Sequence, residues 1–302
     1  MATMASHVVL LNAHAGTNSD RSSESLIRGY FDERGICADI RVLGKDEDIV
    51  ATTKRAIAGN ARVVVAGGGD GTVNAIAEAV IGSGATLGVL PLGTLNHFAR
   101  DMGIPADLAA AVETACTGRI ARVDVGRVNG RLFLNNSGLG LYPQAVRRRD
   151  ASIDRLGRTK WRASLWAAWT VFRRYPFLDV HLTVEGESLE YRTPLVFIGN
   201  NSYELDGLNL GVRRSLDAGH LSVHIVDRAG RTGLVVLALR ALCGRLREAK
   251  DFKTFSAADV EVRTRRRHLS VTTDGEVNRL QAPLNYHLEP LALPVLVPAA
   301  QG

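Results

Sequence analysis

Between Val8 and Thr117, short β-branched runs alternate with stretches whose apolar positions recur at helical spacing, the signature of α/β layering. Val8–Leu11 reads as a strand, Asp20–Arg34 as an amphipathic helix closed by Gly35, and Ala38–Leu43 as a second strand. Asp46–Ala58 is a helix ending at Gly59, and Arg62–Ala66 is a third strand running straight into Gly67-Gly-Gly-Asp-Gly-Thr72. Val73–Ile81 continues as a helix and Thr86–Leu90 as a fourth strand. Residues 91–100 turn into another helix, and Pro105 is placed for the first turn of a helix that reaches Thr117.

Beyond residue 120 the pattern shifts to period two. Val123–Val128, Leu132–Asn136, Val180–Glu185, Leu195–Gly199, Leu221–Val226, Ala258–Val262, Leu269–Thr273 and Leu284–Leu288 read as strands separated by Gly, Asn and Asp turns. Two helical insertions interrupt them, at Lys160–Arg174 and Thr232–Glu248. The expected architecture is an α/β domain over 1–122 followed by a mostly antiparallel β-sandwich or barrel over 123–290.

Composition narrows the partners. Over 302 residues, 37 Lys and Arg against 31 Asp and Glu give a net charge of +6, which suits an anionic partner such as a nucleotide or an acidic membrane surface. Nucleic acid is not expected, because no aromatic stacking platform accompanies the cations. Cys37, Cys116 and Cys243 form no CxxC pair, which fits a reducing, cytoplasmic setting. The longest later apolar run, Leu234–Leu239, is broken by Arg240 and falls short of the ~20 residues a span needs. The expectation is a cytoplasmic protein, at most peripheral to a membrane.

The strongest chemical signal is strand, then Gly67-Gly-Gly-Asp-Gly-Thr72, then helix. Glycines let an anion approach main-chain N–H groups, and the following helix offers its positive end. Asp70 adds a carboxylate where a phosphate-bound Mg²⁺ could sit, and Thr72 adds a hydroxyl. The loop lacks the Gly-Lys-Ser/Thr of one phosphate-binding motif and the third glycine of the dinucleotide fingerprint. Pro91-Leu-Gly-Thr-Leu-Asn96 is a second strand-to-helix turn. Thr94 and Asn96 either face the phosphate site or serve a Pro-Gly turn with Thr94 capping the helix. Asn12-Ala-His-Ala-Gly16 is a third such turn.

In the second half, Asp274-Gly-Glu276 is either a solvated hairpin or, if the domains face each other across a cleft, the source of a general base. Trp161, Trp166 and Trp169 alternate with Arg158, Lys160, Arg162, Arg173 and Arg174, a mixture that suits a headgroup region or a packed amphipathic helix. Arg263-Thr-Arg-Arg-Arg-His268 is a basic strand edge, solvated or touching anionic lipid or ATP.

These motifs carry a resemblance. Gly68-Gly-Asp-Gly-Thr72, Leu90-Pro-Leu-Gly-Thr-Leu-Asn-His-Phe-Ala-Arg100 and Asp274-Gly-Glu276 stand in the order and spacing of the diacylglycerol kinase catalytic family. Asp124-Val-Gly126, Phe133-Leu-Asn-Asn-Ser-Gly-Leu-Gly140 and Gly219-His-Leu-Ser-Val223 extend the similarity over nearly the whole chain. The resemblance implies a two-domain ATP- and Mg²⁺-dependent lipid kinase with its site in the interdomain cleft. Diacylglycerol, converted to phosphatidic acid at a membrane surface, is the leading substrate. Asn12, Gly67, Gly68, Gly69, Asp70, Gly71, Thr72, Thr94 and Asn96 would contact nucleotide, with Asp70 at the metal. Asp274 and Glu276 would form the catalytic pair, Asp274 being favoured as base. Residues 291–302 would return to the first domain, and a homodimer is compatible.

Three departures stand out: Ala13 and Ala15 replace Pro and Ser, His97 stands where many members carry Asp, and Ala218 likewise replaces Asp. Two alternatives remain at this point, a catalytically silent nucleotide- or phospholipid-binding module and an NAD kinase-like enzyme acting on a soluble substrate.

Overall fold

A computed structural model describes residues 6–12, 21–140, 177–203, 213, 215–226 and 252–299. The expected helices at Lys160–Arg174 and Thr232–Glu248, with their tryptophans, lie outside the described residues, as do Ala13 and Ala15. The chain divides into two compact units, residues 1–125 with 290–302, and residues 126–289.

The first unit is built on a parallel sheet. Strands β1 (His7–Asn12), β2 (Ala38–Leu43), β3 (Val63–Gly68) and β4 (Thr86–Pro91) run in the order β2-β1-β3-β4. The end of the last strand, β16 (Leu284–Val297), adds beside β4 in parallel, with Val295 opposite Leu87. Val9, Leu10, Val64, Val65, Leu87, Leu90 and Val295 are completely buried. Continuous apolar runs form these strands because a parallel sheet is covered on both faces. Each such side chain contributes roughly 1.5–3 kcal/mol relative to exposure.

Helices α1 (Arg21–Asp32), α2 (Ile49–Ala58), α3 (Asp70–Val80), α4 (His97–Asp101) and α5 (Leu108–Thr117) connect the strands. Their starts differ. Asp48 caps α2 by accepting from the Ala51 N–H, and Asp107 caps α5 by accepting from that of Ala110. The start of α3 follows Gly69 and has no side-chain cap.

The second unit is a sandwich. One sheet is antiparallel, in the order β12 (Phe252–Ala257), β11 (Leu221–Val226), β10 (Leu195–Asn200), β7 (Asn136–Gly140), β14 (His268–Thr273), β15 (Glu276–Gln281). The other places β13 (Asp259–Thr264) between the start of β16 and β8 (Leu178–Val184), with β9 (Glu187–Thr193) outside β8. The end of β5 (Arg119–Val128) pairs with β6 (Arg131–Phe133). One apolar cluster joins the two sheets, drawing Leu139, Val196, Ile198, Val223 and Val271 from the first and Val180, Leu182, Val262 and Tyr286 from the second. Burial there pushes the Tyr286 phenol well above its ordinary range, and the hydroxyl meets Ser137 Oγ at 3.1 Å.

Four strands go beyond the pattern read from sequence. β7, which shares only Asn136 with the expected Leu132–Asn136, and β9, β12 and β15 were not predicted, and β15 intervenes between the Asp274–Glu276 turn and Leu284. The turn therefore closes the β14–β15 hairpin, in which Thr273 faces Glu276.

Candidate functional site

In the first unit three strand ends converge. β3 delivers Gly67, Gly68 and Gly69 to the start of α3, and β1 delivers Asn12, whose Nδ2 donates to Thr72 Oγ1 at 3.0 Å. Gly68 and Gly93 are required by crowding. A Cβ on Gly68 would sit 2.5 Å from Thr72 Oγ1, and one on Gly93 would sit 2.4 Å from the Gly69 Cα. The Gly67–Thr72 loop and the turn after β4 thus touch backbone to backbone, and the Leu92 N–H donates to the Gly68 carbonyl at 3.2 Å.

Asp70 joins the same two turns. Its Oδ2 accepts from the His97 N–H at 3.2 Å and its Oδ1 from the Phe98 N–H at 3.1 Å, so it caps α4 from another part of the chain. Asn96, in a left-handed conformation with φ +46°, cross-braces its own turn. Its Nδ2 donates to the carbonyls of Pro91 at 2.9 Å and Gly93 at 2.7 Å, while its Oδ1 accepts from the Gly93 N–H at 3.0 Å. Asn96 is the residue at the cap position of α4, in place of Thr94, and Thr94 is exposed on the turn. Gly71 is exposed at the first turn of α3 and Thr72 is buried beneath it.

The cluster is therefore a rigid cradle around an uncapped helix start. Orphan N–H groups and the positive end of an eleven-residue helix together make a receptor for an anion. Asp70 is one carboxylate at its edge. A Mg²⁺ held largely by phosphate oxygens and water needs only one or two carboxylates, so the donor set fits that ion. Among the described residues no group of three His, Cys, Asp or Glu side chains could hold a metal by itself.

The second unit sets its acidic turn differently. Asp274 has φ +46°, and its carboxylate accepts from three successive main-chain N–H groups: Leu134 at 2.6 Å, Asn135 at 2.8 Å and Asn136 at 2.8 Å. The carbonyls of that segment are gripped from the other side. Buried Arg213 donates to the Leu134 carbonyl at 2.6 Å and to Asn135 Oδ1 at 2.8 Å. Asn200 Nδ2 donates to the Leu134 carbonyl at 3.0 Å, and the Tyr203 hydroxyl to that of Asn135 at 2.8 Å.

A carboxylate and a guanidinium thus clamp one irregular stretch between β6 and β7, satisfying groups that burial would otherwise leave costly. Glu276 is exposed and pairs with Arg131 at 3.1 Å. Sequence reading placed Asp274 and Glu276 together, and the structure separates their surroundings: Asp274 faces amides, Glu276 faces solvent. Arg131, Arg213, Asn200 and Tyr203 were not singled out from sequence. Of the segment they serve, only the Phe133–Gly140 motif gave a signal.

Residues 6–128 match the diacylglycerol kinase catalytic domain, and residues 141–297 match the YegS C-terminal NAD kinase beta sandwich-like domain. A Klebsiella pneumoniae relative named "Probable lipid kinase YegS-like" is 38% identical over 142 residues, 46% of this chain and 47% of the relative, so the chain spans about half of its length. A relative of the same name from Pseudomonas syringae pv. syringae is 32% identical over 267 residues, 86% of this chain and 84% of the relative. A crystal structure of a diacylglycerol kinase from Bacillus anthracis shares the fold, with a TM-score of 0.70 at 20% identity over 97% of each chain. The chain belongs to the diacylglycerol kinase family, with a C-terminal domain of the YegS type.

Proposed function

We propose that the protein is an ATP- and Mg²⁺-dependent lipid kinase that phosphorylates a lipid hydroxyl, with diacylglycerol as substrate and phosphatidic acid as product. The observation that carries the reading is the braced, uncapped start of α3. Asn12, Gly68, Gly69, Asp70 and Thr72 are held there by contacts that leave the helix end for an anion. The relatives' names support a lipid acceptor.

Phosphoryl transfer depends on positioning and charge neutralisation more than on covalent chemistry. The N–H groups at the start of α3 would bind the ATP phosphates, with Thr72, Thr94 and Asn12 at their flank. A Mg²⁺ bound with the nucleotide would supply neutralisation of phosphate charge, with Asp70 as its protein carboxylate. Asp70, tied to the His97 and Phe98 amides, would keep the two turns in register while it does so.

The attacking hydroxyl must lose its proton, and the Asp274–Glu276 turn supplies the acceptor. Three N–H bonds commit the Asp274 carboxylate to shaping the turn. We therefore give proton acceptance to Glu276, with Asp274 as the residue that positions it. We place the protein in the cytoplasm, meeting its substrate at a membrane face; among the described residues no helix is long and apolar enough to cross one.

The test is transfer of radiolabel from γ-labelled ATP with Mg²⁺ to a panel of lipids. Label in the organic phase with diacylglycerol is the expected result. Label only on a soluble acceptor such as NAD, or nucleotide binding without transfer, would replace this reading with one of the two alternatives.

A further inference from the structure

We propose that the basic corner where β13 turns into β14 is a docking surface for an anionic phospholipid bilayer. The inference rests on the lipid-kinase reading for its choice of partner and on the following geometry for its place. Arg265, Arg266, Arg267 and His268 are consecutive and all exposed. Thr264 Oγ1 accepts from the Arg266 N–H at 3.2 Å and donates to the Arg266 carbonyl at 3.1 Å, which fixes the turn that projects them. Ala282 donates its N–H to the Arg267 carbonyl, tying the corner to the end of β15.

Strand register adds to the patch. His268 lies opposite Gln281, and Ser270 lies opposite exposed Arg279, so Arg279 stands diagonally from His268 on the outward face of the hairpin. Compensation is slight. Arg265 reaches Asp179 only at 3.7 Å with its side chain 85% exposed, and among the described residues Arg266 and Arg267 have no carboxylate partner. Arg263, by contrast, is committed to Glu261.

Four arginines with little acid beside them match a surface dense in phosphate, because each guanidinium can bind phosphate oxygens in pairs. A bilayer is favoured over nucleic acid. The proposed substrate resides in a bilayer. The corner lies at the opposite end of β14 from Asp274, roughly 17 Å along a six-residue strand, so docking is separable from proton transfer.

The test is co-sedimentation of the full chain with phosphatidylcholine vesicles, with and without phosphatidylglycerol, in the absence of ATP. No turnover is read, so its failure is distinct from failure of the kinase reading. Wild type should bind only the anionic vesicles and release at about 1 M salt, where screening reaches only about 3 Å. The combined variant Arg265→Gln, Arg266→Gln, Arg267→Gln should lose about a hundredfold in partitioning, at about fivefold per arginine. A control variant removing three exposed cations of the first unit, Lys45→Gln, Lys54→Gln, Arg62→Gln, should retain most of it. Equal loss in both variants, or none in the first, overturns the proposal. So does binding of the corner to single-stranded DNA but not to vesicles.

Discussion

The Gly67–Thr72 loop and the Asp274–Glu276 turn use the same device to opposite ends. In each, an aspartate carboxylate accepts adjacent main-chain N–H groups from a segment distant in sequence: His97 and Phe98 for Asp70, Leu134 to Asn136 for Asp274. Asp70 spends its oxygens on α4 while the helix that it begins itself, α3, stays uncapped. Asp274 instead absorbs every amide of the stretch it touches and leaves Glu276 facing outward beside Arg131. One turn leaves main-chain donors uncapped; the other leaves a carboxylate in solvent. What separates them is which groups the aspartate has already satisfied.

The largest effect should come from Glu276→Gln. If the outward carboxylate takes the proton, turnover falls by about a thousandfold, while stability moves by less than about 1 kcal/mol because its ion pair is exposed. Kinetics beside a urea melt would show the split, and retained turnover would return the role to Asp274. Asp274→Asn should do the reverse in kind, costing about 3 kcal/mol of stability through loss of charge-assisted bonds to three amides. An unchanged urea midpoint would mean that the clamp is ornamental.

Gly93→Ala comes next, because its methyl meets Gly69 backbone at 2.4 Å and neither strand end can yield cheaply. Overpacking there should cost about 2 kcal/mol and spread the two turns, weakening ATP binding in calorimetry. Gly67→Ala should be milder, since its methyl meets the tip of the Leu11 side chain. The smallest change is expected for Asp70→Asn, about 1 kcal/mol from a weakened cap on α4, accompanied by reduced affinity for Mg·ATP over free ATP. Equal affinities in the variant and wild type would remove Asp70 from the metal.

Much of this was legible in the chain because it is local. The apolar runs of β1, β3 and β4, the glycines after β3 and the Pro91–Asn96 turn lie within a few residues of what they shape. Two of the unpredicted strands carry little pattern: β15 (Glu-Val-Asn-Arg-Leu-Gln) and β9 (Glu-Ser-Leu-Glu-Tyr-Arg-Thr) are polar edges with few buried positions. The clamp on Leu134–Asn136 escaped notice for a different reason. Its bonds join residues 138 to 140 apart, and Arg213 reaches the same stretch from 78 or 79 away. No window of sequence reports such a pairing. The bracing bonds of Asp70 and Asn96 were likewise not legible, because the amides and carbonyls they bind are identical in every residue.

Strand β16 carries an implication for biosynthesis. Its first residues pair with β13, whereas Leu293, Val295, Leu296 and Val297 are buried in the first unit, with Val295 beside Leu87 of β4. The portion that contains the glycine loop lacks a sheet strand until residue 297 has been made, after the described strands of the second unit. Until then the flank of β4 is an open sheet edge, and it is there that a nascent or truncated polypeptide would recruit a chaperone or a wrong neighbour.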